Sequence, residues 1–457
     1  MTTDVLHDLT LAIPGASVAT DPATLAAYAK DHGPVQDLID PLAVVWAESV
    51  ADVQNILRWA SRTNTAVVPR GAGTGVSGGA HATRNCIVLS LERMNRILDI
   101  RPGDELAVVE PGVINADLNE AVKTHGLMYA PDPASYRIST IGGNVATNAG
   151  GLRCAKYGVT RDSVLALDVV LADGTLIRTG HETFKGVAGY DLTGLFTGSE
   201  GTLGVVVGIT VRLRYLPREV RTVAAFFPDF RTAAAGVLAV GAARVQPAIM
   251  ELLDGATMAA LDGAHGSDLG TRGGALLLIQ TDGFGAEAEA DAVRSVLSGL
   301  GGTVSSAGSA EAERLVELRR HSRGDDVDHE LRVGEDVAVP RSQLVHYVAE
   351  LERMALNHGV RLKVVAHAGD GNLHPTFWVN TAEGADGAAR LAAALDESIT
   401  VALGLGGTIT GEHGVGQFKL RWLAQEQQAE VLELQRRVKA VFDPAGILNP
   451  GKAIPGI

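Results

Sequence analysis

Residues His367 to His374 read His-Ala-Gly-Asp-Gly-Asn-Leu-His, and further along the chain comes Gly411-Glu412-His413-Gly414. Gly-Asp-Gly-Asn is turn material, because Gly tolerates positive φ and Asp or Asn side chains close on the local backbone. On one straight strand two His seven residues apart would face opposite sides, but a turn between them lets both rings converge. His367, His374 and Glu412 then supply N and O ligands suited to one divalent ion, Zn²⁺, Mn²⁺ or Fe²⁺, with positions left open for water or substrate. Adjacent side chains of an extended segment point opposite ways, so His413 is expected to leave the ion to Glu412. An imidazole in that place can serve as general base near neutral pH.

The elements that must hold these residues are bounded first by composition. At 457 residues the chain should form two or three domains, and 46% hydrophobic residues with 54 Gly indicate a folded, loop-rich α/β protein. A net charge of −14 without a concentrated basic surface argues against nucleic acid as a partner. The N-terminus has no basic start and no apolar signal core, and no stretch of about 20 apolar residues follows, so a cytoplasmic location is expected, with peripheral association at the inner face of the membrane compatible. Cys86 and Cys154 are the only cysteines, which excludes an iron–sulfur centre or a disulfide framework within the chain.

Pro22 after Asp21 opens a short helical lead-in. A strand over Ala43–Glu48, a helix from Ser49 and a strand over Thr65–Pro69 follow, then the loop Arg70-Gly71-Ala72-Gly73-Thr74-Gly75-Val76-Ser77-Gly78-Gly79. Short strands are expected at Cys86–Leu89, Leu106–Val109, Ala166–Leu171 and Gly204–Leu213. Beyond Pro217 glycine thins out. Strands at Val223–Phe227, Ala248–Leu253, Ala275–Gln280, Val337–Pro340 and Leu362–His367 alternate with charged helices such as Glu311–Arg320, the pattern of an antiparallel sheet covered by helices.

Two further segments share the character of the first glycine loop: Ser139-Thr140-Ile141-Gly142-Gly143-Asn144-Val145-Ala146-Thr147-Asn148-Ala149-Gly150-Gly151, preceded by Pro131-Asp132-Pro133, and Gly198-Ser199-Glu200-Gly201-Thr202-Leu203-Gly204. Small residues let backbone N–H groups approach an anion, and the Ser, Thr and Asn side chains add donors. One such loop is commonplace, whereas three point to a large phosphate-bearing cofactor. The first loop lacks the Gly-Lys-Ser/Thr ending of a P-loop, and Val76 stands where the third glycine of an NAD fingerprint would fall.

With Gly189-Tyr190-Asp191-Leu192 and the tail Asp443-Pro444-x-x-Ile447-Leu448-Asn449-Pro450-Gly451-Lys452, these motifs in order resemble the FAD-linked oxidases of the vanillyl-alcohol-oxidase type, in the branch of glycolate oxidase D-subunits, D-lactate dehydrogenases and D-2-hydroxyglutarate dehydrogenases. The resemblance covers nearly the whole chain. It implies an α+β fold: a PCMH-type FAD-binding domain of two α/β subdomains, a ferredoxin-like antiparallel α+β substrate domain, and a C-terminal segment returning to the flavin. The expected bounds are 1–37 for the lead-in, 38–217 for the FAD domain, 218–440 for the substrate domain with the metal site, and 441–457 for the returning segment.

Carried over by motif, the flavin contacts implied are Pro69, Arg70, Gly71, Ala72, Gly73, Thr74, Gly75, Ser77 and Gly78 in the first loop. Asp132, Pro133, Thr140, Gly143, Asn144, Thr147 and Gly150 follow in the second, then Glu200, Gly204 and, from the tail, Asn449. Covalently flavinylated members carry His where Thr74 stands, so non-covalent FAD is implied. The resemblance also gives the metal to His367, His374 and Glu412, the proton to His413, and the substrate carboxylate to Arg319, although a charged helix like Glu311–Arg320 is ordinarily solvated. Thr376 replaces the Asn of dicarboxylate-specific members, and no Lys precedes Asp336-Val337-Ala338-Val339-Pro340. D-lactate is therefore the first substrate expected, ahead of glycolate and 2-hydroxyglutarate. Electrons must leave to an external acceptor: an electron-transfer flavoprotein, a cytochrome, a quinone, an iron–sulfur subunit or oxygen. A homodimer is left open, and metal-dependent hydrolysis or a non-catalytic flavin subunit are the readings from other classes.

Overall fold

A computed structural model describes residues 2–13, 17–34, 39–305, 308, 310–320 and 329–456, without the side chains of residues 2–6. The chain divides into two compact units, one of residues 1–150, 158–216 and 412–457, the other of residues 151–157 and 217–411. The first unit thus regains the chain at Glu412, not near residue 441 as the sequence suggested, because the whole stretch from Glu412 packs with it. The boundary expected at residues 37 and 38 lies outside the described residues.

The first unit begins with β1 (Ser17–Ala19), β2 (Ala43–Trp46), β3 (Ala66–Arg70) and β4 (Cys86–Ser90), in the order β1-β2-β4-β3. β2, β4 and β3 are parallel, and β1 adds antiparallel at the edge. The crossover helix Val50–Thr63 starts where Ser49 Oγ accepts from the Asp52 N–H at 3.2 Å and stops at Asn64 in the left-handed region. Val53, Ile56, Leu57 and Ala60 recur at helical spacing and close this core against Val45, Val67, Ile87 and Leu89.

A second sheet of the same unit holds β5 (Ile97–Arg101), β6 (Leu106–Val109), β8 (Val164–Val170), β9 (Leu176–Gly180) and β10 (Val205–Arg212), ordered β5-β6-β10-β8-β9 and antiparallel throughout; β7 (Leu127–Met128) pairs β11 (Arg214–Tyr215) apart from it. β5 and β9, absent from the sequence reading, are its edges and hold no buried residue but Thr179, so they lack the buried alternation that marks inner strands. The tail joins the first sheet directly: the Val67 N–H donates to Ile447 O at 2.8 Å and the Asn449 N–H to Val67 O at 2.8 Å.

The second unit is one antiparallel sheet of β12 (Val220–Phe227), β13 (Ile249–Asp254), β14 (Ala275–Asp282), β15 (Thr303–Val304), β16 (Glu330–Gly334), β17 (Val337–Ala338), β18 (Arg361–His367) and β19 (Asn372–Asn380), ordered β15-β12-β14-β13-β18-β19-β16 with β17 on β19. Leu253, Leu276 and Leu278 from its strands meet Met258 and Leu261 of helix Gly255–His265 and Leu315 of helix Ala310–Arg320 in one core. The architecture is α+β, as the motif order implied.

Candidate active site

β18 and β19 form the hairpin around residues 368–371, in a register that pairs His367 with Asn372 and Val365 with His374. Opposed residues of antiparallel strands share a face, so the two His are diagonal neighbours. Their rings stand edge to face, with centroids 5.1 Å apart. The turn closes at Gly371, whose φ is 82° and where a Cβ would lie 2.2 Å from Val339 O. A side chain there would be strained and would clash.

β13 brings Glu251 into the same row, opposite His367. Glu251 Oε1 lies 2.7 Å from His367 Nδ1, and its Oε2 lies 2.6 Å from Arg319 Nη2. All three side chains are buried. Arg319 is thus on the inward stripe of its helix with Ala312 and Leu315, not on the solvated face. Asp336, fully buried, is a second anchor. Its Oδ1 accepts from Asn372 Nδ2 at 2.8 Å and lies 3.9 Å from His374 Nδ1. Its Oδ2 accepts from Thr410 Oγ1 at 2.7 Å and from the Gly411 N–H at 2.9 Å, which fixes the backbone directly before Glu412.

Glu412 and His413 belong by packing to the first unit. Their side chains do not diverge as an extended backbone would force. Residues 411–413 form a bend, and Glu412 Oε1 lies 3.9 Å from His413 Nε2.

In the first unit, the glycine loops converge where β3 ends. A Cβ on Gly71 would lie 2.3 Å from Thr140 Oγ1, so only glycine lets the first loop touch the second. Thr140 caps helix Ile141–Thr147, its Oγ1 accepting from the Gly143 N–H at 3.1 Å, and Thr147 Oγ1 donates back to Gly143 O at 3.3 Å. Ser77 Oγ and Asn144 Nδ2 are buried without a hydrogen-bond partner. Such unspent capacity costs about 1–3 kcal/mol per group unless a ligand meets it. Beside Ala72 and Thr140 opens a cavity of about 330 Å³, lined also by Glu92, Asn95 and Asp117, polar residues absent from the sequence reading. Unsatisfied buried donors and small residues where the two loops meet fit a phosphate-bearing cofactor such as FAD; neither donor lines the cavity, which carries two acidic side chains instead.

Residues 216–453 match the C-terminal domain of FAD-linked oxidases, and residues 41–180 match an FAD-binding domain. The chain is 40% identical over 417 residues to the glycolate oxidase subunit GlcD of Bacillus subtilis, covering 90% of this chain and 88% of that one. The chain belongs to the FAD-linked oxidases. It is also 34% identical to a D-lactate dehydrogenase of Archaeoglobus fulgidus, with 94% of this chain and 95% of that one covered. A structure of p-cresol methylhydroxylase with bound substrate superposes with a TM-score of 0.82 at 18% identity, over 99% of this chain and 96% of that one, which shows the shared PCMH-type fold. This is an FAD-dependent oxidoreductase, and metal-dependent hydrolysis is set aside as the use of its His and Glu residues.

Within this FAD-linked oxidase, several residues expected at the flavin also make contacts inside the protein. Glu200, at a φ of 53°, accepts from the Val415 N–H at 2.8 Å and the Gly416 N–H at 2.8 Å, and burial pushes its carboxyl pKa up. Asn449 donates through Nδ2 to Gly79 O at 2.9 Å and Glu200 O at 2.7 Å, and its Oδ1 accepts from Lys452 Nζ at 2.8 Å. Arg70 donates to Lys30 O at 3.0 Å and stacks on Tyr28. Gly204 is a packing glycine, since a Cβ would meet Val169 at 2.4 Å. These four residues shape the loops. Pro69, Gly73, Thr74, Gly75, Gly78, Asp132, Pro133 and Gly150 lie in or beside the same loops, with Gly78, Asp132 and Gly150 buried.

Lys452 is the deepest cation of this network. Burial depresses its pKa from 10.5 to about 8, against the opposing charges of Cys86, Asp31 and Glu200. A pKa lowered on folding gives stability above the unfolded value that is lost as pH falls through the folded one. The wild type is therefore expected to gain about 3 kcal/mol over Lys452→Met as pH rises from 8 to 10.5. Urea titrations of both proteins at the two pH values measure it, and parallel pH dependences would contradict it.

Proposed function

We propose that this FAD-linked oxidase converts a D-2-hydroxy acid, D-lactate foremost, to the 2-oxo acid, with one divalent ion held by His367, His374 and Glu412. The observation that carries the reading is the pair of imidazoles on one sheet face, 5.1 Å apart, in an oxidoreductase whose relatives are named for glycolate and D-lactate. Bound FAD supplies a two-electron hydride acceptor, and a bound divalent ion a Lewis acid for the hydroxyl and carboxylate of the substrate. His413 takes the hydroxyl proton at Nε2, the nitrogen turned toward Glu412, while the C2–H bond gives up its electron pair and the C2 carbonyl forms. Arg319 holds Glu251 through Nη2 and grips the substrate carboxylate with another edge of its fork. Ser77, Thr140, Asn144 and the glycines of the first two loops hold FAD without a covalent bond, since Thr74 offers no ring nitrogen for attachment.

The substrate tail meets a feature absent from the sequence reading. Lys363 is buried opposite Thr376 in the register, and alternation puts both on the His374 face. A cation there favours D-2-hydroxyglutarate as a second reading, through its distal carboxylate. The two electrons taken from the substrate would leave to an external acceptor: an electron-transfer flavoprotein, a cytochrome, a quinone or an iron–sulfur subunit. No helix among the described residues is long and apolar enough to cross a membrane, which suits a cytoplasmic protein or one bound peripherally at the inner face. A homodimer is compatible with these assignments.

An anaerobic screen of D-2-hydroxy acids by flavin bleaching, with metal analysis of the same sample, tests the proposal. D-lactate is expected to bleach the flavin, L-lactate is not, and bleaching by neither D-lactate, glycolate nor D-2-hydroxyglutarate would refute it. Should D-2-hydroxyglutarate bleach fastest, Lys363→Met is expected to slow that acid and spare D-lactate.

A further inference from the structure

We propose that Glu251, backed by Arg319, is a positioning residue that fixes His367 for metal binding, an inference that rests on the metal reading above. An imidazole can ligate through either nitrogen, and the partner of one nitrogen decides which. Glu251 Oε1 stands 2.7 Å from His367 Nδ1, so the proton is held at Nδ1 and the lone pair is presented at Nε2. The carboxylate is placed by strand register, since Glu251 and His367 are directly opposed on β13 and β18. Its other oxygen is pinned by Arg319 Nη2 at 2.6 Å, so it cannot rotate away from the ring.

Burial adds the electrostatic part. Glu251 is 1% exposed, Arg319 5% and His367 6%, so little water screens the carboxylate from the ring behind which it sits. A negative charge behind an imidazole makes it a better donor to a cation, and the guanidinium balances that charge in the absence of water. His374 has a different backing, Asp336 Oδ1 at 3.9 Å from its Nδ1, outside direct hydrogen-bonding range.

A structural salt link between sheet and helix would show the same distances, so the test reads metal rather than stability. The FAD-loaded enzyme, stripped with a chelator, is titrated with Zn²⁺ in competition with a chromophoric chelator, as wild type, Glu251→Gln and the double variant Glu251→Gln/Arg319→Met. The double variant removes both charges together and guards against misfolding caused by an unpaired Arg319. Both variants are expected to bind Zn²⁺ about 10–100-fold more weakly than wild type at unchanged flavin content. The visible bands of the Co²⁺ forms should shift as well. Wild-type affinity in the double variant would overturn the assignment and leave the pair a structural link. If the wild type itself takes up no Zn²⁺, Mn²⁺ or Fe²⁺, the metal reading fails first and this inference with it.

Discussion

Replacing His413 by alanine is expected to slow anaerobic flavin reduction by D-lactate about 10²–10⁴-fold, with FAD and metal content unchanged. A hydride can leave C2 only as the hydroxyl proton departs, and the base must stand within reach of that oxygen. His413 Nε2, 3.9 Å from Glu412 Oε1, faces the carboxylate assigned to the ion that would carry the hydroxyl. Glu200 holds the backbone just beyond, at Val415 and Gly416, which confines the ring more than a solvent loop would. Added imidazole should restore part of the variant's rate. Stopped-flow reduction traces decide the matter, and a wild-type rate in His413→Ala would remove His413 from the reaction.

The second large effect is expected from His374→Ala, which should abolish stoichiometric metal binding and lower flavin reduction by about three orders of magnitude. His374 lies on a strand interior, and alanine keeps the register of β18 with β19, so the sheet should survive. The flavin loops belong to the other unit, so the oxidised flavin spectrum should not change. Elemental analysis beside the kinetics separates the outcomes. One ion per chain with undiminished reduction would exclude His374 as a ligand, whereas metal loss without kinetic loss would make the ion structural.

Much of this site could be read from residue order because turn chemistry is local. Gly-Asp-Gly-Asn between two His announces a hairpin, and the hairpin puts both rings on one face. The three glycine loops were equally visible, since close backbone approach is a property of the loop itself. Glu251 was invisible for the opposite reason: it meets His367 across 116 residues of sequence, through a strand pairing that no local pattern encodes. Arg319 misled in part. Its helix is highly charged, yet Ala312, Leu315 and Arg319 recur at helical spacing and mark a buried stripe that was there to be noticed. The divergence expected of Glu412 and His413 failed because it assumed an extended backbone where the chain bends. Glu200 and Asn449, expected at the cofactor from their glycine-rich motifs, both adopt positive φ and also hydrogen-bond within the protein, which local sequence does not announce.

The turn at residues 368–371 carries a consequence for descent. One residue added or removed there, if taken up as a single step of β19 against β18, would send His374 to the opposite face. Gly371, wedged against Val339 O, also leaves no room for a compensating side chain. Length drift at this turn therefore endangers the metal ligand set by parity, so insertions that survive in descendants should collect in other loops.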